Sequence, residues 1–198
     1  GEFAVQAAHP DARTADAAAC FKLLREAGAN LEARTGGDPE ASTVLHFAAK
    51  GRTEILSLLL EAGVDLNVVN SSNYTPLHWA ARGDLGVRRS TECVELLLKA
   101  GAAVNVVSRH EGTPFDVAIQ GGHRRMWPLL LRAGAEVPGY YSPMPNPYIL
   151  RVQSAGGFKK YAQNHLAAMT KLFVANGRRL PPEVVRQIMK FWLHLGYY

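Results

Sequence analysis

Cysteine is nearly missing from this chain: only Cys20 and Cys93 occur in 198 residues. Two thiols build neither a disulfide framework nor a metal quartet. Both are expected to be buried apolar thiols too far apart to bridge, which suits a reducing compartment, so an intracellular, cytoplasmic or nuclear setting is expected. Long apolar runs are absent too, none reaching the ~20 residues a membrane-spanning helix needs. So are a nucleophile elbow, a phosphate-cradling Gly-Lys-Ser/Thr loop, a His-Glu-x-x-His pair and a dinucleotide fingerprint. No enzyme activity, cofactor or metal is therefore expected. Of the seven histidines, His9, His110, His123, His165 and His194 show no ligand spacing. Acid is scarce in the last stretch: residues 141–198 hold eight Lys or Arg and a single acid, Glu183, so the net +5 of the chain resides there. Such a basic tail opens a nucleic-acid or anionic-surface reading, although Lys159-Lys160 and Arg178-Arg179 are also what solvated helix ends look like. The opening Gly1-Glu2-Phe3 has no initiator Met and resembles a cloning scar. The natural N-terminus is expected to be missing, and any targeting peptide with it.

What the chain does have is a step that returns. Ala-Gly closes a leucine-rich run at Ala27-Gly28, Ala62-Gly63, Ala100-Gly101 and Ala133-Gly134, at glycine spacings of 35, 38 and 33. Gly after such a run supplies the left-handed turn that ends a helix. Thr75-Pro76 and Thr113-Pro114, weakened to Thr43-Val44, open helices: Thr caps, and Pro costs nothing in a first turn. Paired alanines at Ala48-Ala49 and Ala80-Ala81 let neighbouring first helices approach closely.

Thr75-Pro76-Leu77-His78-Trp79-Ala80-Ala81-Arg82-Gly83, with Val94 to Ala102 after it, resembles one nearly complete ankyrin repeat. The resemblance implies an all-α solenoid of about four helix-turn-helix repeats with hairpin loops, each lending its neighbour a core it lacks alone. It also implies that His46 and His78, in the repeat's Leu-His signature, hydrogen-bond backbone of the adjacent unit. The first and fourth units depart from the pattern as caps. The first has only Ala7-Ala8 as its pair, and it shares with the third a lengthened connection between helices, near Asp11–Ala17 and Asp84–Thr91. In the fourth, Val117-Ala118-Ile119 replaces the alanine pair, and Pro128 should kink its second helix or keep it short. Asn70-Ser71-Ser72 and Asn73-Tyr74-Thr75 match glycosylation acceptors and are read as chance matches.

Three regions follow: repeats over 1–138, a Pro-rich linker over 139–147, and a helical C-terminal extension over 148–198. The linker's alternative is a ligand for an SH3-type domain. Asn146 caps and Pro147 opens a short helix ending at Gly156-Gly157. Phe158, Tyr161, His165, Met169, Leu172 and Phe173 recur at helical spacing up to about Ala175. Pro181-Pro182-Glu183 starts a last helix with an apolar stripe of Val184, Val185, Ile188, Phe191, Trp192 and Leu195. Leu180 to Phe191 resembles the core of an F-box and the F-box-like PRANC tail of poxviral ankyrin proteins. That resemblance implies docking on a Skp1-type adaptor for ubiquitination, against the simpler role of capping the solenoid.

The expected function is therefore that of a monomeric scaffold or adaptor binding another protein on a rigid concave face of hairpin tips and first helices. Aligning the units points Pro39, Glu40, Ser42 and Lys50 of the second unit to that face. Ser71, Ser72, Tyr74 and Arg82 of the third join them, with Arg109, His110 and Gln120 of the fourth. Tyr74, Arg82 and Arg109 are the favoured hot-spot types.

Overall fold

The computed structural model describes residues 14–36, 41–84, 86–137 and 146–175, together with Pro181, Glu183, Val184, Gln187 and Ile188. Among the described residues there are nine helices and no strand. They are α1 (Thr14–Glu26), α2 (Val44–Ala49), α3 (Thr53–Glu61), α4 (Pro76–Arg82), α5 (Val87–Lys99), α6 (Pro114–Gln120), α7 (Trp127–Arg132), α8 (Pro147–Ser154) and α9 (Phe158–Ala175).

The short helices α2, α4 and α6 stack on one another as an inner layer, and α1, α3, α5 and α7 stack as an outer one. This two-layer ladder follows from side-chain size. Ala48, Ala49, Ala80, Ala81 and Ala118 are fully buried, so inner helices meet almost backbone to backbone, while Leu56, Leu59, Val94, Leu97 and Leu130 fill the wider outer layer. Each inner helix starts at the expected threonine, Thr43, Thr75 or Thr113. Gly28, Gly63, Gly101 and Gly134 all take positive φ, between +73° and +99°, where a side chain would strain the turn.

Conserved geometry between units comes from buried side chains. His46 Nε2 lies 2.9 Å from the Tyr74 carbonyl, and His78 Nε2 lies 3.1 Å from the Gly112 carbonyl, each in the next unit. The Thr75 N–H donates to His78 Nδ1 at 3.0 Å. A backbone N–H can only donate, so Nδ1 is bare and Nε2 carries the proton given to Gly112. In the fourth unit Asp116 holds this place and turns back on its own cap, its Oδ2 accepting the Thr113 N–H and hydroxyl at 2.8 Å each. A second stitch, on the other side of the hairpins, is made by asparagines. Asn67 Oδ1 accepts the Ala103 N–H at 2.8 Å, and Asn105 Oδ1 accepts the Glu136 N–H at 3.1 Å.

Two expectations need correction. The extra residues of the third unit do not form a long connection over Asp84–Thr91. They mostly lengthen the helix, α5 having 13 residues against nine in α3, and α1 likewise has 13. Cys20 is exposed, whereas Cys93 is buried as expected. Cys93 Sγ reaches the Ala48 carbonyl of the preceding unit at 3.9 Å. Of the two outcomes expected at Pro128, the structure has the short helix: α7 is six residues long and holds the proline in its first turn, where no hydrogen bond is lost. Ala7-Ala8 and the linker residues Pro138–Pro145 lie outside the described residues.

The C-terminal extension is joined to the last repeat by aromatics. Trp127 stacks on Tyr148 of α8 at 6.3 Å, and Tyr148 meets Tyr161 of α9 edge-on at 5.7 Å. Asn146 caps α8 by accepting the Tyr148 N–H at 2.9 Å, and Gly156 and Gly157 turn the chain into α9 with positive φ.

Candidate binding face of the hairpin tips

Three hairpin tips lead into the inner helices. The first closes through a bridge between Arg34 and Thr43, the last through one between Ser108 and Gly112. The middle one is closed by the Asn70 N–H donating to the Tyr74 carbonyl at 3.0 Å. Asn70 Oδ1 accepts from the Ser72 and Tyr74 N–H groups, and Asn73 takes a left-handed turn at φ 60°. Short polar side chains that bond local backbone are the residues such turns select. Neighbouring tips are tied together: Arg34 donates to the Val69 carbonyl at 2.8 Å, Asn73 to the Val107 carbonyl at 2.6 Å, and the Arg109 N–H to the Ser72 carbonyl at 3.0 Å. The tips thus form one pre-set edge.

The expected face residues divide into three groups. Ser71, Arg109, His110 and Gln120 are exposed, and Ser72 is half-buried on the same edge. Lys50 and Arg82 are half-buried and already engaged. Lys50 Nζ sits 4.3 Å above the Trp79 ring and 3.6 Å from Asp84. Arg82 Nη2 bonds Glu111 at 2.6 Å while its guanidinium covers the Tyr74 ring at 5.4 Å. The hydrogen bond to Glu111 raises the Arg82 pKa further, so its charge is fixed.

Tyr74 and Ser42 are corrections. Tyr74 is only 3 % exposed and meets the His78 ring edge-on at 5.4 Å, so it supports the face from beneath. Burial raises its pKa, with Glu111 adding to the effect. Ser42 is fully buried because the Thr35 and Ser42 backbones bond at 2.9 Å and turn its side chain inward. Pro39 and Glu40 lie outside the described residues.

Four participants escaped the sequence reading. Glu111 anchors Arg82, Asp84 receives Lys50, and Trp79 lies under the lysine; each is visible only once the tips are side by side. Val107 is the fourth, an apolar side chain 60 % exposed at the third tip. His123 matters structurally: its Nε2 lies 2.7 Å from the Arg82 carbonyl, clamping the end of α4 to the fourth unit. Among the described residues, Asp84 and Glu111 are engaged by Lys50 and Arg82, while Arg109, and Arg124 and Arg125 beyond it, are exposed. Among the described residues no cluster of His, Cys, Asp or Glu could hold a metal ion, and no helix is long and apolar enough to cross a membrane.

Comparison with known proteins agrees with this architecture. A family model for ankyrin repeats, in three copies, matches residues 9–107. Protein phosphatase 1 regulatory subunit 12A of Mus musculus, and the protein of that name from Rattus norvegicus, are each 50% identical to this chain over 50 residues. That stretch is 25% of this chain and 4% of either relative, so the chain spans only a small part of the curated relatives it matches.

Proposed function

The chain belongs to the ankyrin-repeat family, and from that premise we propose that it is a scaffold or adaptor that binds a protein segment along the linked hairpin tips. The observation carrying this reading is that three tips are bonded into one edge, with Ser71, Val107, Arg109 and His110 exposed along it. A surface fixed in advance loses little entropy on docking. The exposed Arg109 beside Val107 suits a partner offering an acidic side chain next to an apolar one, and Arg is among the residue types that dominate interface energies. Affinity capture from native extract tests this: the wild type should retain a defined protein that Arg109→Glu combined with His110→Ala loses. Retention unchanged by both substitutions argues for another face. Because the relatives are named as regulatory subunits of protein phosphatase 1, that phosphatase is a first purified probe.

The second reading is recruitment of a Skp1-type adaptor through Leu180 to Phe191. The turn at Pro181, whose carbonyl accepts the Val184 N–H at 3.0 Å, suits a helix start there; most of the segment lies outside the described residues. Capture of a purified adaptor that is lost on deleting residues 178–198 supports it, and no capture refutes it. The nucleic-acid reading of the basic tail requires steeply salt-dependent binding weakened by charge reversal at Lys159 and Lys160.

A further inference from the structure

An open groove of about 1080 Å³ runs between the last repeat and α9, with Leu131 and Val137 on one wall and Phe158, Ala162 and Leu166 on the other. The α9 wall is a helical stripe. Phe158, Ala162, Leu166 and Met169 follow at steps of four, four and three and are all half-buried, whereas Tyr161 and His165 on the adjoining face stack together toward Tyr148. Three-and-four spacing is the pattern by which one helix receives another. From Phe158 to Leu166 the wall runs about 12 Å, roughly two helical turns. Sites for drug-sized ligands have comparable volume but enclose most of their occupant, and this groove stays open along its side. Its shape therefore suits a helix laid lengthwise, with large apolar side chains set against Ala162 and against Gly134 and Gly156, where the walls carry little side chain of their own.

Charge narrows the occupant. Arg132 on the repeat wall and Lys159 on the α9 wall are exposed, and no described carboxylate pairs with either. Lys160 adds a third cation, its stem lying along Gly156, where a Cβ would meet the lysine Cδ at 3.4 Å. Among the described residues that line the groove, Glu136 is the one acid. We propose that the groove binds an amphipathic helix of a partner protein, one whose apolar stripe is flanked by carboxylates that reach Arg132 and Lys159. A helix laid in a groove is read through apolar anchors three and four residues apart, and here Asp or Glu stands beside those anchors. The chain's own residues 176–198 carry four Lys or Arg and one acid, so their charge repeats that of the groove instead of complementing it. A two-fold contact between copies joins the same patch twice and would bring these cations together. This inference does not depend on the hairpin-tip binding face.

The test titrates the full chain into two dye-labelled synthetic peptides and follows fluorescence anisotropy. Both share one amphipathic helical sequence with a leucine stripe, flanked by Glu in the first and by Lys in the second. The Glu-flanked peptide should bind about tenfold tighter, and Arg132→Glu combined with Lys159→Glu should reverse the order. Leu166→Asp should weaken the Glu-flanked peptide by about tenfold or more, because it sets a charge on the apolar wall. Arg109→Glu at the hairpin tips should leave the affinity unchanged. Each variant counts as folded when Cys93 stays unreactive while Cys20 reacts. No binding of either peptide, equal binding of both, or an affinity indifferent to Leu166→Asp overturns the proposal. Binding that appears only after residues 176–198 are removed also overturns it, since the chain's own tail is then the occupant. So does a dimer that Leu166→Asp dissociates, since a second copy then fills the groove.

Discussion

Acidification should attack the stack at His78 before it reaches the apolar core. The ring is fully buried, and this burial pushes its pKa from 6.5 down to about 4. A proton on Nδ1 would also confront the Thr75 N–H, which already donates there at 3.0 Å. In the unfolded chain the ring takes a proton near its ordinary pKa, so between these two values the unfolded state binds more protons than the native one. Stability from this group is complete above pH 6.5, declines as pH falls, and stops declining below about pH 4. At 1.36 kcal/mol per pKa unit the loss is about 3 kcal/mol, a large share of a typical 5–15 kcal/mol domain stability. Urea unfolding from pH 7 to pH 4 measures it, comparing wild type with His78→Gln, whose amide can still donate to Gly112 and accept from Thr75. The variant should start less stable but lose about 3 kcal/mol less across the range, which is a midpoint difference of about 1–3 M urea at the usual slopes. Parallel decline of the two proteins would refute the reasoning.

Thiol titration with a chromogenic disulfide should count one reactive cysteine in the native protein and two after unfolding, because Cys20 is exposed and burial pushes the Cys93 pKa up to about 12. Gly83→Ala should destabilise more than Gly63→Ala in thermal melts. Both positions have positive φ, costing about 1 kcal/mol, but a Cβ at Gly83 would also lie 2.7 Å from His123 Nε2, whereas at Gly63 it would meet nothing. Arg82→Ala should cost only about 0.5–1 kcal/mol in a double-mutant cycle with Glu111→Ala, and less at high salt, since both side chains are partly solvated. Ala80→Leu should lower stability by about 1–3 kcal/mol or more, by forcing the inner helices apart.

Sequence was most legible where one residue settles one backbone state. Gly28, Gly63, Gly101 and Gly134 end their helices as expected, Thr43, Thr75 and Thr113 begin theirs, and α9 spans Phe158–Ala175 as its periodicity indicates. Local chemistry decides those points, so no neighbour is needed to read them. It was least legible where the next unit decides. Tyr74 and Arg109 look alike as tip residues, yet the first is buried against His78 and Arg82 while the second is exposed. Cys20 and Cys93 occupy equivalent helical positions, yet Cys20 is exposed while Cys93 is buried with its Sγ against the Ala48 carbonyl of the preceding unit. Asn70 and Asn73, which match glycosylation acceptors, instead have their side chains engaged within the tips, Asn70 with Ser72 and Tyr74 and Asn73 with Val107.

Site-directed photocrosslinking tests the proposed binding face most directly. A photoreactive amino acid placed at His110, on the exposed tip, should trap a discrete protein in native extract, and Arg109→Glu should abolish the adduct. The same group at Glu61, at the exposed end of α3 in the outer layer, should trap none. An adduct formed from Glu61 and not from His110, or one indifferent to Arg109, would contradict the account.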